Sequence, residues 1–177
     1  MPTRFKVHCS AYPHFITSTT TYWLPIFSKD AYFDILVQSF RYCIENKGLV
    51  LHDYVFMPNH FHVICSMAAG DLADVIRDIK GFTSKQIAVL LKSDGRSKWL
   101  YALEWAGGDE TDVKVWQDGF HPELIHSLAF YEQKRRYVYE NPVRAGYVED
   151  MLDWRYSSAR YWYTEGESVL PLEAIDW

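Results

Sequence analysis

The sequence predicts an α+β fold with a central antiparallel sheet, in the ferredoxin-like order β-α-β-β-α-β followed by an extra C-terminal helix. Three observations lead to it. A β-branched segment lies near the start, two apolar segments are separated only by Pro58-Asn59, and helical patterns lie on both sides of that pair. The chain has 177 residues, of which 49% are hydrophobic, so we expect one domain over residues 1–177, with residues 150–177 as a tail packed on it.

The first half of the chain contains the predicted hairpin and the elements before it. His14–Tyr22 is rich in β-branched and aromatic residues and is predicted to be the first strand. A helical stripe follows, from a capping serine at Ser28 to Lys47-Gly48. Leu49–Met57 and His60–Met67 have strand patterns, and the short turn between them predicts a hairpin in the middle of the sheet.

In Leu49–Met57, strict alternation places Leu51, Asp53 and Val55 on one face of the sheet. The segment Asp71–Lys92 is predicted to be helical, with a break near Gly81. Residues 93–112 are the least regular part of the chain and are predicted to form a long loop.

The last predicted strand is Val113–Gln117, which reads VKVWQ. Pro122-Glu123 is predicted to open the final helix, which continues to about Glu140 and stops at Asn141-Pro142. Five aromatic residues of the tail are expected to pack over the domain: Trp154, Tyr156, Tyr161, Trp162 and Tyr163.

Composition limits the functional classes. The formal net charge of −5 argues mildly against a nucleic-acid binder, although basic residues are concentrated in residues 77–98 and 134–160. From charge alone, a solvated mixed surface is the simpler interpretation. The three cysteines, Cys9, Cys43 and Cys65, include no CxxC pair, which favours reduced buried thiols. Since we find neither a membrane-spanning stretch nor a signal-peptide core, we expect a soluble cytoplasmic protein with no membrane partner.

Two histidines lie one residue apart in MPNHFHVICS. Because side chains alternate along a strand, His60 and His62 are predicted to share one face, while Phe61 and Val63 point to the other. Two imidazoles side by side can hold one cation. A single strand histidine is usually a structural residue, but two on one face make a metal site about as good an explanation.

A second candidate group lies in RRYVYENPVRAG, residues 135–146. Tyr137 and Asn141 are four residues apart and therefore share one helix face. An amide oxygen suits a hard divalent ion as a further ligand, and a phenol beside that ion can act as a nucleophile. The alternative is structural, with Tyr137 as an ordinary aromatic of an amphipathic helix and Asn141-Pro142 as its terminus.

Four segments together, MPNHFHVI, VWQDGFH, YVYENPVRAGYV and WRYSSAR, resemble the HUH single-strand DNA transposases with an IS200-like domain. The chain is most similar to the REP-associated tyrosine transposase branch of that superfamily. The resemblance covers roughly residues 14–160. HxH alone is a weak signal, whereas MPNHxH followed by YxxxNPVRAG in this order and spacing is specific.

The resemblance implies a role for each matching residue. His60 and His62 would be the metal ligands, Asn141 would complete the shell around Mg²⁺ or Mn²⁺, and Tyr137 would be the nucleophile. Such enzymes cut single-stranded DNA at palindromic hairpins and stay attached to the 5′ phosphate. The implied setting is the bacterial cytoplasm, bound to the nucleoid, with a homodimer or a monomer equally allowed.

Contacts with DNA are expected from basic residues around the nucleophile and in the predicted loop. These are Lys134, Arg135, Arg136, Arg144, Arg96 and Lys98.

The chain departs from the family pattern in two places. His121-Pro122-Glu123 stands where the family often has His-Asp, and the acidic segment 104–112 is longer than usual. Two other functions therefore stay open: a hairpin-binding module whose catalysis is lost or unused, and a nuclease or RNA-processing enzyme on the same scaffold.

Overall fold

A computed structural model describes residues 10–108 and 113–176. It confirms the α+β fold. The strands are β1 His14–Thr19, β2 Leu49–Met57, β3 His60–Met67 and β4 His121–Leu124. The helices are α1 Asp30–Lys47, α2 Leu72–Ser93, α3 Ser97–Gly107, α4 Leu128–Arg144 and α5 Ala159–Thr164, with short 3₁₀ turns at Thr21–Trp23 and Met151–Asp153.

Within the described residues, the strands form one four-stranded sheet in the order β2-β3-β1-β4, and every neighbouring pair is antiparallel. This is the topology that the element order predicts. The predicted position of the hairpin is only half right, because β3 is an inner strand whereas β2 lies at an edge.

The tail covers the outer edge of β2. The amide of Phe56 donates to the carbonyl of Tyr156 at 2.8 Å, and the amide of Ser158 donates to Tyr54 at 3.0 Å. Further along, the amide of Glu173 donates to Leu51 at 2.9 Å. These bonds satisfy backbone groups that an uncovered edge strand would leave exposed to pairing with another chain.

The sheet has two covered faces. Helices α1 and α2 pack on one face over a large apolar core, and α4 packs on the other over a smaller one. In β3, Phe61, Val63 and Cys65 belong to the α1–α2 core. His60 and His62 point to the α4 side, where the ring of His62 contacts Tyr137. The predicted alternation of β3 is therefore confirmed.

The alternation predicted for β2 is wrong at one residue. Leu51 pairs with Cys65 and lies in the α1–α2 core, whereas Asp53 pairs with Ile64 and faces α4. His52 is the additional residue of a β-bulge between them, and a bulge shifts the side-chain order by one.

Residues 93–112 were expected to be a loop, and that expectation is wrong for most of the segment, because Ser97–Gly107 forms α3. The glycines of this segment, Gly95, Gly107 and Gly108, favoured a loop, although Trp99, Leu100 and Leu103 of the helix pack toward the apolar core. The break expected at Gly81 is absent, and α2 runs without interruption to Ser93. Buried Ile79, Thr83 and Ile87 hold both halves of α2 on the core.

The predicted strand Val113–Gln117 is reduced to a single bridge between Trp116 and Thr20. The fourth strand is instead β4, where Pro122 lies in an edge strand rather than opening a helix. An edge strand accepts a proline because only one side of it is paired. Helix α4 starts later, where the Ser127 hydroxyl accepts from the amide of Phe130 at 3.2 Å.

Helix α4 also ends later than predicted. It passes through Pro142, which is buried, and ends at Arg144. A proline in the last turn removes one hydrogen bond but does not prevent the turn, and Gly146 then closes it with a φ of 76°.

The buried free thiols expected at Cys43 and Cys65 are confirmed, whereas Cys9 lies outside the described residues. In residues 10–108 and 113–176, no helix combines the length and apolarity that crossing a membrane requires.

Candidate metal and nucleophile site

The two histidines of β3 form a close pair on the α4 face. Their ring centroids are 4.8 Å apart and the ring planes are inclined at 72°. His62 is buried, with 4% of its surface exposed, and His60 is partly exposed at the start of the strand. The pair therefore has one imidazole inside the protein and one near its surface.

Each imidazole is held by a neighbour at Nδ1. His60 Nδ1 donates to the side-chain oxygen of Asn59 at 2.7 Å, and His62 Nδ1 hydrogen-bonds to the Thr17 hydroxyl at 2.7 Å. Histidines that bind a metal through Nε2 are usually oriented in this way by a partner on the other ring nitrogen. The Asn59 contact follows from the MPNH turn, whereas the Thr17 contact depends on the β1–β3 register and has no signal in the sequence.

Burial also keeps the imidazoles neutral. Desolvation lowers the pKa of His60, with a hydrogen bond to Asn141 acting in the opposite direction. The pKa of His62 falls to about 3, first through burial and then because a protonated His62 would be repelled by His60, when that ring is charged, and by Lys134. A neutral imidazole is the form that binds a metal ion, so neither ring has to lose a proton near neutral pH.

Helix α4 brings Tyr137 and Asn141 to the same place. The ring of Tyr137 lies edge-on to His62 at 5.1 Å between centroids, and 38% of the residue is exposed. The guanidinium of Arg144 lies 5.3 Å from the centre of the same ring. Tyr137, Asn141, His60 and His62 therefore lie together on one side of the sheet, while their chemical roles remain predictions.

The donor set fits a divalent ion that accepts nitrogen ligands. Two imidazole nitrogens and an amide oxygen suit Mn²⁺ better than Mg²⁺, which prefers oxygen alone. Among the described residues there is no cluster of three or more His, Cys, Asp or Glu side chains that could hold a metal. A site without a carboxylate leaves the full charge of the ion for an anionic substrate.

The predicted DNA-binding residues fall into two groups. Lys134 is tied to Glu123 at 2.7 Å and lies over the ring of Phe15, and Arg135 donates to the hydroxyl of Tyr139. The other four lie on α4 or at the start of α3. Arg136 and Arg144 are exposed on α4, Lys98 is exposed on α3, and Arg96 lies 4.6 Å over Trp99 at the start of that helix.

A buried polar cluster under α4 was not predicted. Asp53 is fully buried, and its carboxylate accepts hydrogen bonds from Tyr131 at 2.7 Å and from Tyr139. Arg135 lies 3.5 Å from the same carboxylate, and Ser158 lies at 3.5 Å on the tail side. Asp53 is the only acid in its apolar strand, which is the one sequence signal that marks it. The cluster fixes α4, and hence Tyr137, on the sheet.

The sheet thus presents paired imidazoles beside a tyrosine of α4 on one face. The family model described as "Transposase IS200 like" matches residues 8–108, more than half of the chain, and the chain therefore belongs to that family of transposases. The match contains His60 and His62, whereas Tyr137 and Asn141 lie beyond it.

Two curated relatives are similar over part of the chain. A Haemophilus influenzae protein, provisionally named a REP-associated tyrosine transposase, is 27% identical over 104 residues, 58% of this chain and 54% of its own length. The REP-associated tyrosine transposase of Escherichia coli is 23% identical over 133 residues, 75% of this chain and 65% of its own length. The matches thus span just over half to just under two thirds of these relatives.

A solved structure of a REP-associated tyrosine transposase bound to a REP hairpin has the same fold. It superimposes with a TM-score of 0.68 at 18% identity, covering 100% of this chain and 95% of that one.

Proposed function

We propose that this protein is a metal-dependent transposase that cleaves and rejoins single-stranded DNA at hairpin sites through a covalent 5′-phosphotyrosine. The observation that carries the proposal is the position of the Tyr137 phenol beside the His60–His62 pair on one face of the sheet. The REP hairpin bound by the related structure supports the choice of a hairpin substrate.

The proposed reaction exchanges one phosphodiester for another. The phenol oxygen of Tyr137 attacks the scissile phosphorus, the new O–P bond replaces the bond to the 3′ oxygen, and the phenolic proton is lost. The 3′ oxygen leaves as a hydroxyl after taking up a proton. The energy of the broken bond is retained in the phosphotyrosine, so another 3′-OH can attack it and restore a continuous strand.

The other residues of the site would bind the metal ion or orient the residues that bind it. His60, His62 and Asn141 would hold the divalent ion, Mn²⁺ or Mg²⁺, which when bound offsets negative charge on the scissile phosphate. Asn59 and Thr17 orient the two imidazoles.

The exposed guanidiniums on α4, Arg136 and Arg144, are the proposed contacts for DNA phosphates. The guanidinium of Arg144 lies 5.3 Å from the centre of the Tyr137 ring, which supports a contact of Arg144 with a phosphate next to the cleavage point. Lys98 and Arg96 on α3 are the proposed contacts for a more distant part of the substrate.

A covalent-adduct assay tests the proposal. A hairpin oligonucleotide with single-stranded flanks is incubated with Mn²⁺, and protein–DNA adducts are resolved on a denaturing gel. We expect adducts with the wild-type protein, none with Tyr137→Phe, and none after chelation of the metal. Tyr147→Phe is the matched control, because Tyr147 is also exposed near the end of α4 and loses the same hydroxyl.

Undiminished adducts with Tyr137→Phe would refute the assigned nucleophile. Binding of the hairpin without any adduct would favour the hairpin-binding module instead. Release of a free 5′ phosphate by water, with RNA hairpins competing equally, would favour a nuclease.

A further inference from the structure

Two consecutive aromatic residues adopt a backbone conformation that bulky side chains rarely adopt. Tyr22 and Trp23, directly after β1, have φ values of 55° and 56°. Their side chains are nevertheless largely exposed, at 59% and 61%. A left-handed conformation costs on the order of 1–2 kcal/mol per non-glycine residue. Since neither ring contributes to the core, this cost is not offset by burial, and such strain is typical of functional sites.

Helix α3 adds two more exposed rings beside them. Tyr101 and Trp105 are four residues apart on one helix face and are 67% and 74% exposed. Together with Tyr22, they line a cleft of about 290 Å³. We call Tyr22, Trp23, Tyr101 and Trp105 the aromatic platform.

A second cleft adjoins the first and shares Tyr22 with it. It measures about 450 Å³ and is lined by Tyr22, Trp23 and Gln117, among other residues. Both volumes lie near the lower end of the range of about 300–1,000 Å³ that is usual for small-ligand pockets. The platform therefore offers separate places for small flat groups rather than one broad apolar surface.

Asn59 connects the platform with the candidate site. Its side-chain oxygen accepts from His60, its side-chain nitrogen lies 3.5 Å from the carbonyl of Trp23, and its carbonyl accepts from the amide of Thr20 at 2.8 Å. The platform thus begins at the end of the sheet where the imidazole pair lies.

The charges that line the larger cleft favour base stacking over phosphate binding, whereas exposed Lys98, one turn before Tyr101 on α3, is a DNA contact proposed above. Lys114, which lines the larger cleft, is paired with Asp118 at 2.7 Å, and Glu104 is exposed on α3 between Tyr101 and Trp105 in the chain. Paired and opposing charges attract a DNA backbone weakly. Stacking of bases on aromatic rings needs no net positive charge, because every base has a flat face.

We propose that unpaired nucleotides flanking the cleavage point stack their bases on the aromatic platform. This inference rests on the proposed function, since it takes single-stranded DNA as the substrate, and it adds a second subsite outside the metal and nucleophile site. The platform selects for unstacked, single-stranded flanks and leaves the hairpin stem to other parts of the protein.

The first test compares two hairpin oligonucleotides in a fluorescence-anisotropy titration without metal. One has normal single-stranded flanks, and the other has abasic sugars in their place, which keeps every phosphate. We expect the wild-type protein to bind the normal flanks about tenfold more tightly, the effect of one or two stacked bases. Trp23→Gly should weaken this preference, and Trp23→Phe should keep more of it, because Tyr22, Tyr101 and Trp105 remain in both variants.

Trp23→Gly also separates binding from folding. Glycine adopts positive φ without strain, so the melting temperature of Trp23→Gly should stay level or rise while DNA binding weakens. Tyr42→Ala is the matched control, because Tyr42 is 57% exposed on α1 and lies outside the platform. We expect Tyr42→Ala to keep the preference for normal flanks.

The salt dependence gives an independent readout. Removing a stacking residue lowers affinity at every salt concentration without changing the slope of log affinity against log salt. A slope that falls by about one in Trp23→Gly would indicate a lost phosphate contact instead and would overturn the proposal.

Three other results would overturn the proposal: equal binding of normal and abasic flanks by the wild type, an unchanged preference in Trp23→Gly, or a changed oligomeric mass of Trp23→Gly with no change in flank preference. The last result would make the platform a contact between copies of this chain. None of these results depends on adduct formation, so the platform and the nucleophile can fail separately.

Discussion

The two faces of the sheet in this protein differ in the kinds of side chain that they bury. The face under α1 and α2 is a continuous apolar core in which Phe61 contacts the rings of Phe40 and Trp116. The face under α4 buries an ionisable carboxylate, that of Asp53, and an imidazole, that of His62. One strand, β3, supplies alternate residues to both faces.

The difference shows how a small sheet can hold the candidate site rigidly. Residues on the apolar face fix the position of β3, so the imidazoles on the other face need no stabilising contribution of their own. Helix α4 has few fully buried apolar side chains and is attached instead through the buried cluster around Asp53. Polar anchoring gives α4 a defined orientation, which the role proposed for Tyr137 would require.

The largest expected effect separates adjacent residues of β3. Phe61→Ala should cost about 3–5 kcal/mol in the free energy of unfolding, because it leaves a cavity in the apolar core. His62→Gln should cost at most about 2 kcal/mol but abolish adduct formation. Chemical denaturation measures the first quantity, and adduct yield per folded molecule measures the second.

Loss of adduct formation by Phe61→Ala, kept folded at low temperature, to the same extent as by His62→Gln would contradict the division between a structural face and a functional face. A larger loss of stability in His62→Gln than in Phe61→Ala would contradict it as well.

A smaller effect is expected from pH. Burial raises the pKa of Asp53 from 3.8 to about 6, because hydrogen bonds from the tyrosines and the charge of Arg135 offset desolvation only in part. Between pH 3.8 and about 6, Asp53 keeps its proton in the folded state, whereas in the unfolded state it has released it. Stability should therefore fall as the pH rises from about 4 to 6, by up to about 3 kcal/mol, and then level off.

The measurement is the free energy of unfolding from pH 4 to 7 for the wild type, Asp53→Asn and Thr83→Val. The difference between the wild type and Asp53→Asn isolates Asp53 from the other carboxylates. Thr83 hydrogen-bonds to Trp116 on the apolar face, so Thr83→Val should shift the curve without changing its shape. Parallel curves for the wild type and Asp53→Asn would show that Asp53 does not titrate in this range.

Local sequence signals predicted the hairpin well. Alternating apolar residues and the Pro58-Asn59 turn gave both strands with the observed bounds, and they gave the shared face of His60 and His62. The four-residue spacing of Tyr137 and Asn141 likewise gave their common helix face. These features depend only on residues close together in the chain.

Features that depend on distant contacts were missed. The Thr17–His62 bond needs the β1–β3 register, and the Asp53 cluster joins β2 to α4 and to Ser158, which is 105 residues away. Helix α3 was missed because Gly95, Gly107 and Gly108 at its ends favoured a loop, although Trp99, Leu100 and Leu103 pack toward the core. The exposure of Tyr101 and Trp105 on the other side of the helix is what makes the aromatic platform a candidate binding site.

The central claim is that the α4 face holds a divalent ion through the paired imidazoles. Pulsed electron paramagnetic resonance on Mn²⁺ bound to protein labelled with ¹⁵N-histidine tests it most directly. We predict ¹⁵N coupling that disappears when His60→Ala and His62→Ala are combined and that persists in His126→Ala, a control on an exposed histidine. Mn²⁺ that binds with unchanged ¹⁵N coupling in the double variant would contradict the account.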